Sequence, residues 1–276
     1  MRRAALALLL LAACGPRRRE PAVSEAPLTR RLLTLARGLD LGVGDELAAR
    51  TRDLERLAGA ARAALARRGQ QSAVEVLNRV VFEDEGFRRE VDDTDLAYVL
   101  LPSVLRAQRG SCVGLGTLYL ALGELLHVPM RGVVVPGHFF VRAWEGDRWR
   151  SVELLRRGAE ESPEWYRVRW PVPSTTASVY DRPLTDDEVA GVVEYDVGNE
   201  LRRRGRVAEA RRAFERAVTH FPALPEAQAS LGAVLQLTGS LDAALAAYRT
   251  AGRVEPGLPG LDENLRLLGE ELGARR

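Results

Sequence analysis

The C-terminal third of the chain repeats itself at a spacing of 34 residues. The recurring positions hold small, aromatic or proline residues: Gly198, Gly205, Ala210, Phe214, Ala217 and Pro222 are followed 34 positions later by Gly232, Gly239, Ala244, Tyr248, Ala251 and Pro256. Small residues let two helices approach closely, an aromatic ring fills the gap between units, and proline ends each unit. The pattern predicts two stacked helical hairpins, with Leu261 to Leu272 as a capping helix or a truncated third unit.

The composition permits more than one domain and excludes several function classes. The chain has 276 residues, of which 46% are hydrophobic, and a formal net charge of +2. This near-neutral balance gives no reason to expect a nucleic-acid partner. All 40 basic residues are arginine, so a lysine Schiff base and a P-loop are excluded. The sequence has no H-x-x-x-H or clustered ligand pattern, and neither a metal nor another cofactor is expected.

The N-terminus has the features of an export signal. Two arginines precede a short apolar run that is too short to span a bilayer and ends in Leu11-Ala12-Ala13-Cys14. This ending resembles a bacterial lipobox, which implies that residues 1–13 are a lipoprotein signal peptide and that Cys14 is lipidated. The protein would then be anchored in the bacterial cell envelope, on the periplasm-facing side of the outer membrane. The alternative is an ordinary secretory signal with an incidental cysteine. Residues 14–27 are rich in Pro, Arg and Glu and predict a flexible tether.

The middle of the chain changes from helical to strand-like patterns. Residues 28–91 have helical apolar spacing and predict an N-terminal helical domain. Further elements are predicted as follows: a helix at Asp92–Gln108 capped by Asp92 or Asp93, a buried helix at Cys112–Leu126, and strands at Met130–Val135, His138–Trp144 and Arg148–Leu154, with a hairpin turn at Glu145-Gly146-Asp147. Arg156–Pro183 is interpreted as irregular structure leading to a linker. Helices followed by antiparallel strands indicate an α+β fold.

Three residues in the middle of the chain form a candidate catalytic set. Cys112 begins an apolar helix, where the helix macrodipole and backbone amides favour a thiolate and an oxyanion. His138 begins a strand, and Glu153 ends the return strand, so a hairpin would place the carboxylate opposite the imidazole. Trp149 and the pair Phe139-Phe140 would supply apolar walls. The alternatives are a buried structural thiol for Cys112 and a surface strand residue for Glu153.

Two other polar residues lie near this set in the sequence. Gln108 is a weaker candidate oxyanion donor, and Asp147 is interpreted as a turn residue.

The residues around this set resemble the transglutaminase-like cysteine superfamily, in particular its bacterial SirB-type branch. The resemblance extends from about Asp92 to Gly158 and is carried by L-P-S-V-L, R-G-S-C, Y-L-A-L-G-E-L-L and P-G-H-F-F-V-R. It implies that Cys112 is the nucleophile, His138 the base and Glu153 the acid of a triad, where the superfamily commonly has aspartate. The implied chemistry is acyl transfer or amide hydrolysis through a thioester.

The resemblance to this superfamily and the 34-residue pattern divide the chain into regions. A papain/transglutaminase-like core with an antiparallel sheet is expected at residues 92–183, after the helical layer of residues 28–91. The 34-residue units at residues 186–276 resemble tetratricopeptide repeats, which bind proteins or peptides.

Two functions of different classes are compatible with the sequence. The first is a membrane-anchored, thiol-dependent amide or acyl hydrolase or acyltransferase with a protein-binding repeat module. The second is a non-catalytic lipoprotein scaffold that uses its repeats for protein–protein interaction. Two repeats form only a small groove, so they are also able to pack against the core instead of binding a ligand.

Overall fold

The structure is a computed structural model that describes residues 27–35, 46–68, 72–90, 95–173 and 179–274. Its helices are α1 Pro27–Thr34, α2 Leu47–Arg68, α3 Ala73–Asn78, α4 Leu101–Ala107, α5 Cys112–Leu126, α6 Pro163–Arg169, α7 Asp186–Arg203, α8 Val207–His220, α9 Pro225–Leu237, α10 Leu241–Val254 and α11 Leu261–Ala274. Its strands are β1 Arg88–Arg89, β2 Arg109–Gly110, β3 Met130–Val135, β4 His138–Glu145, β5 Arg148–Glu153 and β6 Ala159–Glu160. The chain is therefore a mixed helix-and-sheet protein, as predicted.

The main sheet is antiparallel and has the strand order β3-β4-β5-β6. A two-residue turn at Gly146 and Asp147 joins β4 to β5, since Glu145 pairs with Arg148. Gly146 has a φ of 64°, the left-handed conformation that glycine adopts without a Cβ clash. This turn fixes the register in which Val141 lies opposite Val152. The predicted strands and their connecting turn are confirmed.

Helix α5 packs on one face of this sheet. A Cβ added at Gly116 would lie 2.4 Å from the Phe139 ring, and one added at Gly132 would lie 2.6 Å from the same ring. Phe139 therefore fills the space that the two glycines leave open, and it locks β4 against α5. Because α5 is also covered by the N-terminal helices, it is buried on nearly all sides, which agrees with its apolar sequence.

The opposite face of the sheet carries a smaller apolar cluster. Val133, Val135 and Phe140 from the strands pack with Tyr166 of α6. Helix α6 lies in the segment that was predicted to be irregular, and that prediction was wrong. Ser162 caps the helix by accepting a hydrogen bond from the Trp165 amide at 3.1 Å, and Pro163 occupies its first turn. The missed helix matters because it covers the candidate site.

The predicted helix at 92–108 is also different in the structure. Its proposed caps, Asp92 and Asp93, lie outside the described residues. Helix α4 begins only at Leu101, because Pro102 fits the first turn of a helix but lacks the N–H that an interior position needs. A separate 3-10 turn at Leu96–Tyr98 precedes it, with Asp95 accepting a hydrogen bond from the Ala97 amide at 2.9 Å.

The C-terminal residues form two helical hairpins, α7–α8 and α9–α10, followed by α11. A Cβ added at Gly198 would lie 2.5 Å from the Phe214 ring, and one added at Gly232 would lie 2.6 Å from the Tyr248 ring. The two hairpins are thus packed by the same glycine–aromatic contact at equivalent positions. Helix α7 also contacts α1, where Arg31 forms an ion pair with Asp187. Among the described helices, none combines the length and the apolar character needed to cross a bilayer.

Candidate active site

Cys112 is the first residue of α5 and is partly buried. Ser111 caps the helix, and its hydroxyl accepts a hydrogen bond from the Gly114 amide at 3.2 Å. The N–H groups in the first turn of an α-helix point away from the helix, because no preceding turn offers them a carbonyl. The thiol therefore lies at a helix N-terminus, where the macrodipole and these amides favour negative charge on sulfur or on a substrate oxygen.

His138 and Glu153 form a buried hydrogen-bonded pair. The Nε2 atom of His138 lies 2.8 Å from Oε2 of Glu153, and the two residues are 6% and 1% exposed. The second carboxylate oxygen, Oε1, accepts a hydrogen bond from the Leu155 amide at 3.0 Å. An ionised carboxylate only accepts hydrogen bonds, so this contact assigns the proton to Nε2 and leaves Nδ1 as the basic nitrogen.

The pair is diagonal across the hairpin, not directly opposite as predicted. Val141 pairs with Val152, so continuing the register places Glu153 opposite Phe140, two residues from His138. The two-residue turn determines this offset. Diagonal neighbours on one face of a sheet are within reach of long side chains, and glutamate has the length to span the gap.

Aromatic rings enclose the imidazole. The Trp170 ring stacks on His138 with 3.9 Å between ring centroids and 8° between planes. Tyr166 stacks on Phe140 at the same centroid distance of 3.9 Å. Burial raises the pKa of the Tyr166 hydroxyl, and the negative charge of Glu153 raises it further, so Tyr166 stays neutral beside the carboxylate. Sequence reasoning missed Tyr166 and Trp170; the Ser162-Pro163 capping signal was the clue to the helix that places them.

Two predicted site residues lie elsewhere. Trp149 is 40% exposed and contacts Trp144 in an edge-to-face arrangement at 5.4 Å, near the turn of the hairpin, so it supplies no wall. Gln108 is exposed, and its side-chain amide donates to the Glu85 carbonyl at 3.0 Å, so it is not an oxyanion donor here. By contrast, Phe139 does line the cavity described next.

Cys112 and His138 line one cavity of about 270 Å³. Apolar walls come from β3 and β4, including Val134 and Phe139. The opposite wall is polar and is built by the C-terminal helices: Tyr195, Asp196, Asn199 and Arg203 of α7 and Glu226 of α9. The helical hairpins thus complete the candidate site. Nothing in the local sequence signals this, because the contact joins parts of the chain that are about 90 residues apart, as Cys112 and Arg203 show.

The three predicted residues are therefore partly assembled by the fold. His138 bonds to Glu153, and His138 shares a cavity with Cys112. Cys14 lies outside the described residues. Within the described parts of the chain, no group of three or more His, Cys, Asp or Glu side chains is placed to hold a metal ion.

Comparison with known proteins identifies the domain that contains these residues. Residues 48–165 match the transglutaminase-like superfamily. They form a transglutaminase-like domain. The matched segment contains Cys112, His138 and Glu153, and it ends before the C-terminal helices begin.

Two further comparisons add little. No curated protein matches the chain. A crystal structure of menin, which revealed the binding site for the Mixed Lineage Leukemia protein, is similar with a TM-score of 0.39 and 15% sequence identity, over 86% of this chain and 70% of the menin chain. That TM-score is too low to establish a shared fold.

Proposed function

We propose that this transglutaminase-like domain is a thiol-dependent amide or acyl hydrolase, or an acyltransferase. The observation that carries the proposal is the buried 2.8 Å hydrogen bond between His138 and Glu153, made by an imidazole that shares a cavity with the Cys112 thiol. A base that is oriented by a carboxylate next to a thiol at a helix N-terminus is the arrangement that nucleophilic catalysis by cysteine requires.

The proposed reaction follows from the assignment of Nδ1 as the basic nitrogen of His138. Nδ1 of His138 takes the proton of the Cys112 thiol, and the sulfur attacks the carbonyl carbon of the substrate. The helix N-terminus stabilises the resulting oxyanion. As the carbonyl re-forms, the leaving amine or alcohol takes the proton from the imidazolium and a thioester remains. Water or an amine then attacks the thioester, giving a proton to His138, and the thiol is released.

The remaining features extend the proposal to the whole protein. The lipobox at Leu11–Cys14 supports a lipoprotein of the bacterial cell envelope. The equivalent contacts at Gly198–Phe214 and Gly232–Tyr248 support two tetratricopeptide repeats, which would bind a protein or peptide. The motifs quoted above favour the SirB-type branch. The second candidate is a scaffold in which the domain has no activity; the paired hairpins favour it, since such repeats serve as binding modules.

Reaction with an activated ester distinguishes the thiol-dependent enzyme from the inactive scaffold. The full chain is incubated with p-nitrophenyl acetate, and intact mass and peptide mapping identify where the acetyl group resides. We expect acetylation of Cys112 with release of p-nitrophenol, no turnover in Cys112→Ser, and a rate lower by on the order of 10²-fold in His138→Ala.

A graded variant and a control complete the test. Glu153→Gln is expected to reduce the rate less than His138→Ala does, by about tenfold, because the amide disfavours the productive tautomer but preserves the shape. Glu160→Gln is the matched control, since Glu160 is an exposed strand residue whose carboxylate pairs with Arg150 at 2.9 Å, away from His138. Acetylation of Cys112 at the same rate in wild type and His138→Ala would refute the enzyme and leave the scaffold.

A further inference from the structure

The carboxylates that are buried in this protein usually have a cationic partner. Arginine is abundant, and ion pairs neutralise most of the enclosed acids, as in Glu145–Arg150 at 2.6 Å, Glu194–Arg216 at 2.9 Å and Glu200–Arg204 at 2.6 Å. This pairing is expected, because an isolated charge is costly to remove from water. Among the described residues, Glu226 and Glu255 instead have an enclosed carboxylate oxygen and no ion pair with arginine, and Glu226 is the one that lines the candidate site.

Glu226 is partly buried, and one of its carboxylate oxygens belongs to this second group. It lies in the first turn of α9, and its Oε1 accepts a hydrogen bond from the Tyr180 hydroxyl at 2.7 Å. Its Oε2 is enclosed, and no described residue donates a hydrogen bond to it. Burial raises the pKa of Glu226, and the negative charge of Glu255 adds to the effect. The carboxylate thus lacks a compensating positive charge.

The position of Glu226 connects its lack of a cationic partner with the candidate active site. Glu226 lines the same cavity as Cys112 and His138, together with the acidic Asp196. The basic residue of this wall, Arg203, is ion-paired with Glu200, and the imidazole of His138 is bonded to Glu153. The carboxylate of Glu226 is thus the lining acid whose enclosed oxygen has no hydrogen-bond donor among the described residues, and a ligand of positive charge would supply the missing partner.

We propose that Glu226 is a specificity residue that selects substrates carrying an ammonium or guanidinium group close to the acyl group attacked by Cys112. The bound cation supplies the partner that Glu145, Glu194 and Glu200 find in arginine. Glu226 lies outside the transglutaminase-like domain, so the C-terminal helices contribute the selectivity of a site whose reactive residues are in that domain. This inference rests on the proposed function only for the reaction; the charge preference of the cavity is measurable without a substrate.

Charged thiol reagents measure the preference directly. Methanethiosulfonates react with a thiolate to form a mixed disulfide and release methanesulfinate, and they exist as matched reagents: 2-aminoethyl (cationic), methyl (neutral) and 2-sulfonatoethyl (anionic). Second-order rates at Cys112 are measured on the full-length protein by intact mass, and peptide mapping separates Cys112 from Cys14. The quantity compared is the rate of each charged reagent divided by the rate of the methyl reagent.

The inference makes a definite prediction for these ratios. In the folded protein the 2-aminoethyl ratio exceeds, and the 2-sulfonatoethyl ratio falls below, the values for the same protein unfolded in urea. In Glu226→Gln the 2-aminoethyl ratio decreases by about tenfold, equivalent to about 1.4 kcal/mol. Glu263→Gln removes the same charge from the exposed face of α11 and leaves the ratios unchanged.

The outcomes distinguish the two proposals. Equal ratios in folded and unfolded wild type, or an unchanged ratio in a folded Glu226→Gln variant, overturn the inference. The wild-type comparison tests the charge preference even when the variant does not fold. Failure of the proposed function looks different: His138→Ala then leaves the rate of all three reagents unchanged, whatever their ratios.

Discussion

The imidazole of His138 is restrained by contacts of different kinds. Its Nε2 atom is hydrogen-bonded to Glu153, and its face is covered by Trp170 at a centroid distance of 3.9 Å. The hydrogen bond sets the tautomer, while the stacked indole prevents the ring from tilting and keeps water away from the bond. A dry environment strengthens a charge-assisted hydrogen bond. In the proposed reaction, Trp170 is therefore a positioning residue that acts through His138.

Substitution of Trp170 tests this role. We expect Trp170→Ala to slow alkylation of Cys112 by iodoacetamide by about tenfold, or about 1.4 kcal/mol, which is the upper end of measured aromatic-pair contributions. Trp170→Phe should recover most of the rate because it restores a stacked ring. The pH at half-maximal rate should move toward that of an isolated cysteine in Trp170→Ala, since a less ordered imidazolium stabilises the thiolate less.

The matched control is Trp149→Ala, which removes an indole that is 40% exposed and distant from the imidazole. It should leave both the rate and its pH profile as in wild type. A Trp170→Ala protein that melts at a lower temperature but keeps the wild-type profile would show a purely structural role.

At the scale of the elements, the equivalent glycine–aromatic contacts explain why the 34-residue pattern exists. Gly232 lies on α9 where the Tyr248 ring of α10 packs against the backbone, and Tyr248 is 1% exposed. An added methyl group would lie 2.6 Å from the ring, so the ring or the helix must move. Overpacking of this kind usually costs about 1–3 kcal/mol.

Substitution of two glycines measures this cost. We expect Gly232→Ala to destabilise the protein by up to about 2 kcal/mol in urea unfolding, because the helix-propensity gain of roughly 1 kcal/mol is subtracted from the overpacking cost. Gly269→Ala is the control, because a Cβ at Gly269 on α11 meets nothing within 4 Å. It should stabilise the protein by roughly 0.5–1 kcal/mol. Equal effects of the two substitutions would contradict the packing role of Gly232.

The elements also show what the sequence determines locally. Helix α5 and the β4–β5 hairpin were predicted closely because an apolar helical run, a strand-like run and a Gly146-Asp147 turn are local signals. The helix predicted before α5 is too long, because apolar spacing extends through Pro102 whereas the helix begins at Leu101. The polar wall of the cavity could not be predicted, because it depends on where α7 and α9 pack. The same limit applies to Trp170, whose partner His138 is 32 positions away in the chain.

At the scale of the whole molecule, the predicted lipid anchor lies in a segment outside the described residues. The sequence Leu11-Ala12-Ala13-Cys14 predicts that the mature protein begins with a lipidated cysteine. We expect Cys14→Ala to lose the lipid mass and to move from the membrane fraction to the soluble fraction. The substitution removes the residue that would carry the acyl chains, and durable attachment needs more than one such chain. Cys112→Ala should remain in the membrane fraction. A wild-type protein without a lipid mass increment would refute the lipobox.

The larger of the two apolar clusters joins the domain to the C-terminal helices. One cluster of buried side chains includes Leu28 of α1, Leu118 of α5, Val193 of α7 and Leu268 of α11. Such continuity predicts that the domain and the C-terminal helices unfold together. The protein carries a natural reporter for this question: its four tryptophans lie between residues 144 and 170, outside the C-terminal helices. Tryptophan fluorescence therefore follows the domain, while far-UV circular dichroism follows helices throughout the chain.

Ala244→Glu tests this cooperativity. Ala244 on α10 is fully buried, so the substitution places an unpartnered carboxylate in the core and should cost about 4 kcal/mol or more. Because the larger apolar cluster joins the domain to these helices, the fluorescence midpoint should decrease together with the circular-dichroism midpoint, although every tryptophan is far along the chain from the substitution. Ala246→Glu adds the same charge to the exposed side of α10 and should move neither. A fluorescence transition that stays in place while helicity is lost early would show that the C-terminal hairpins fold as a separate unit. The wall that they contribute to the cavity would then be able to open without unfolding of the domain.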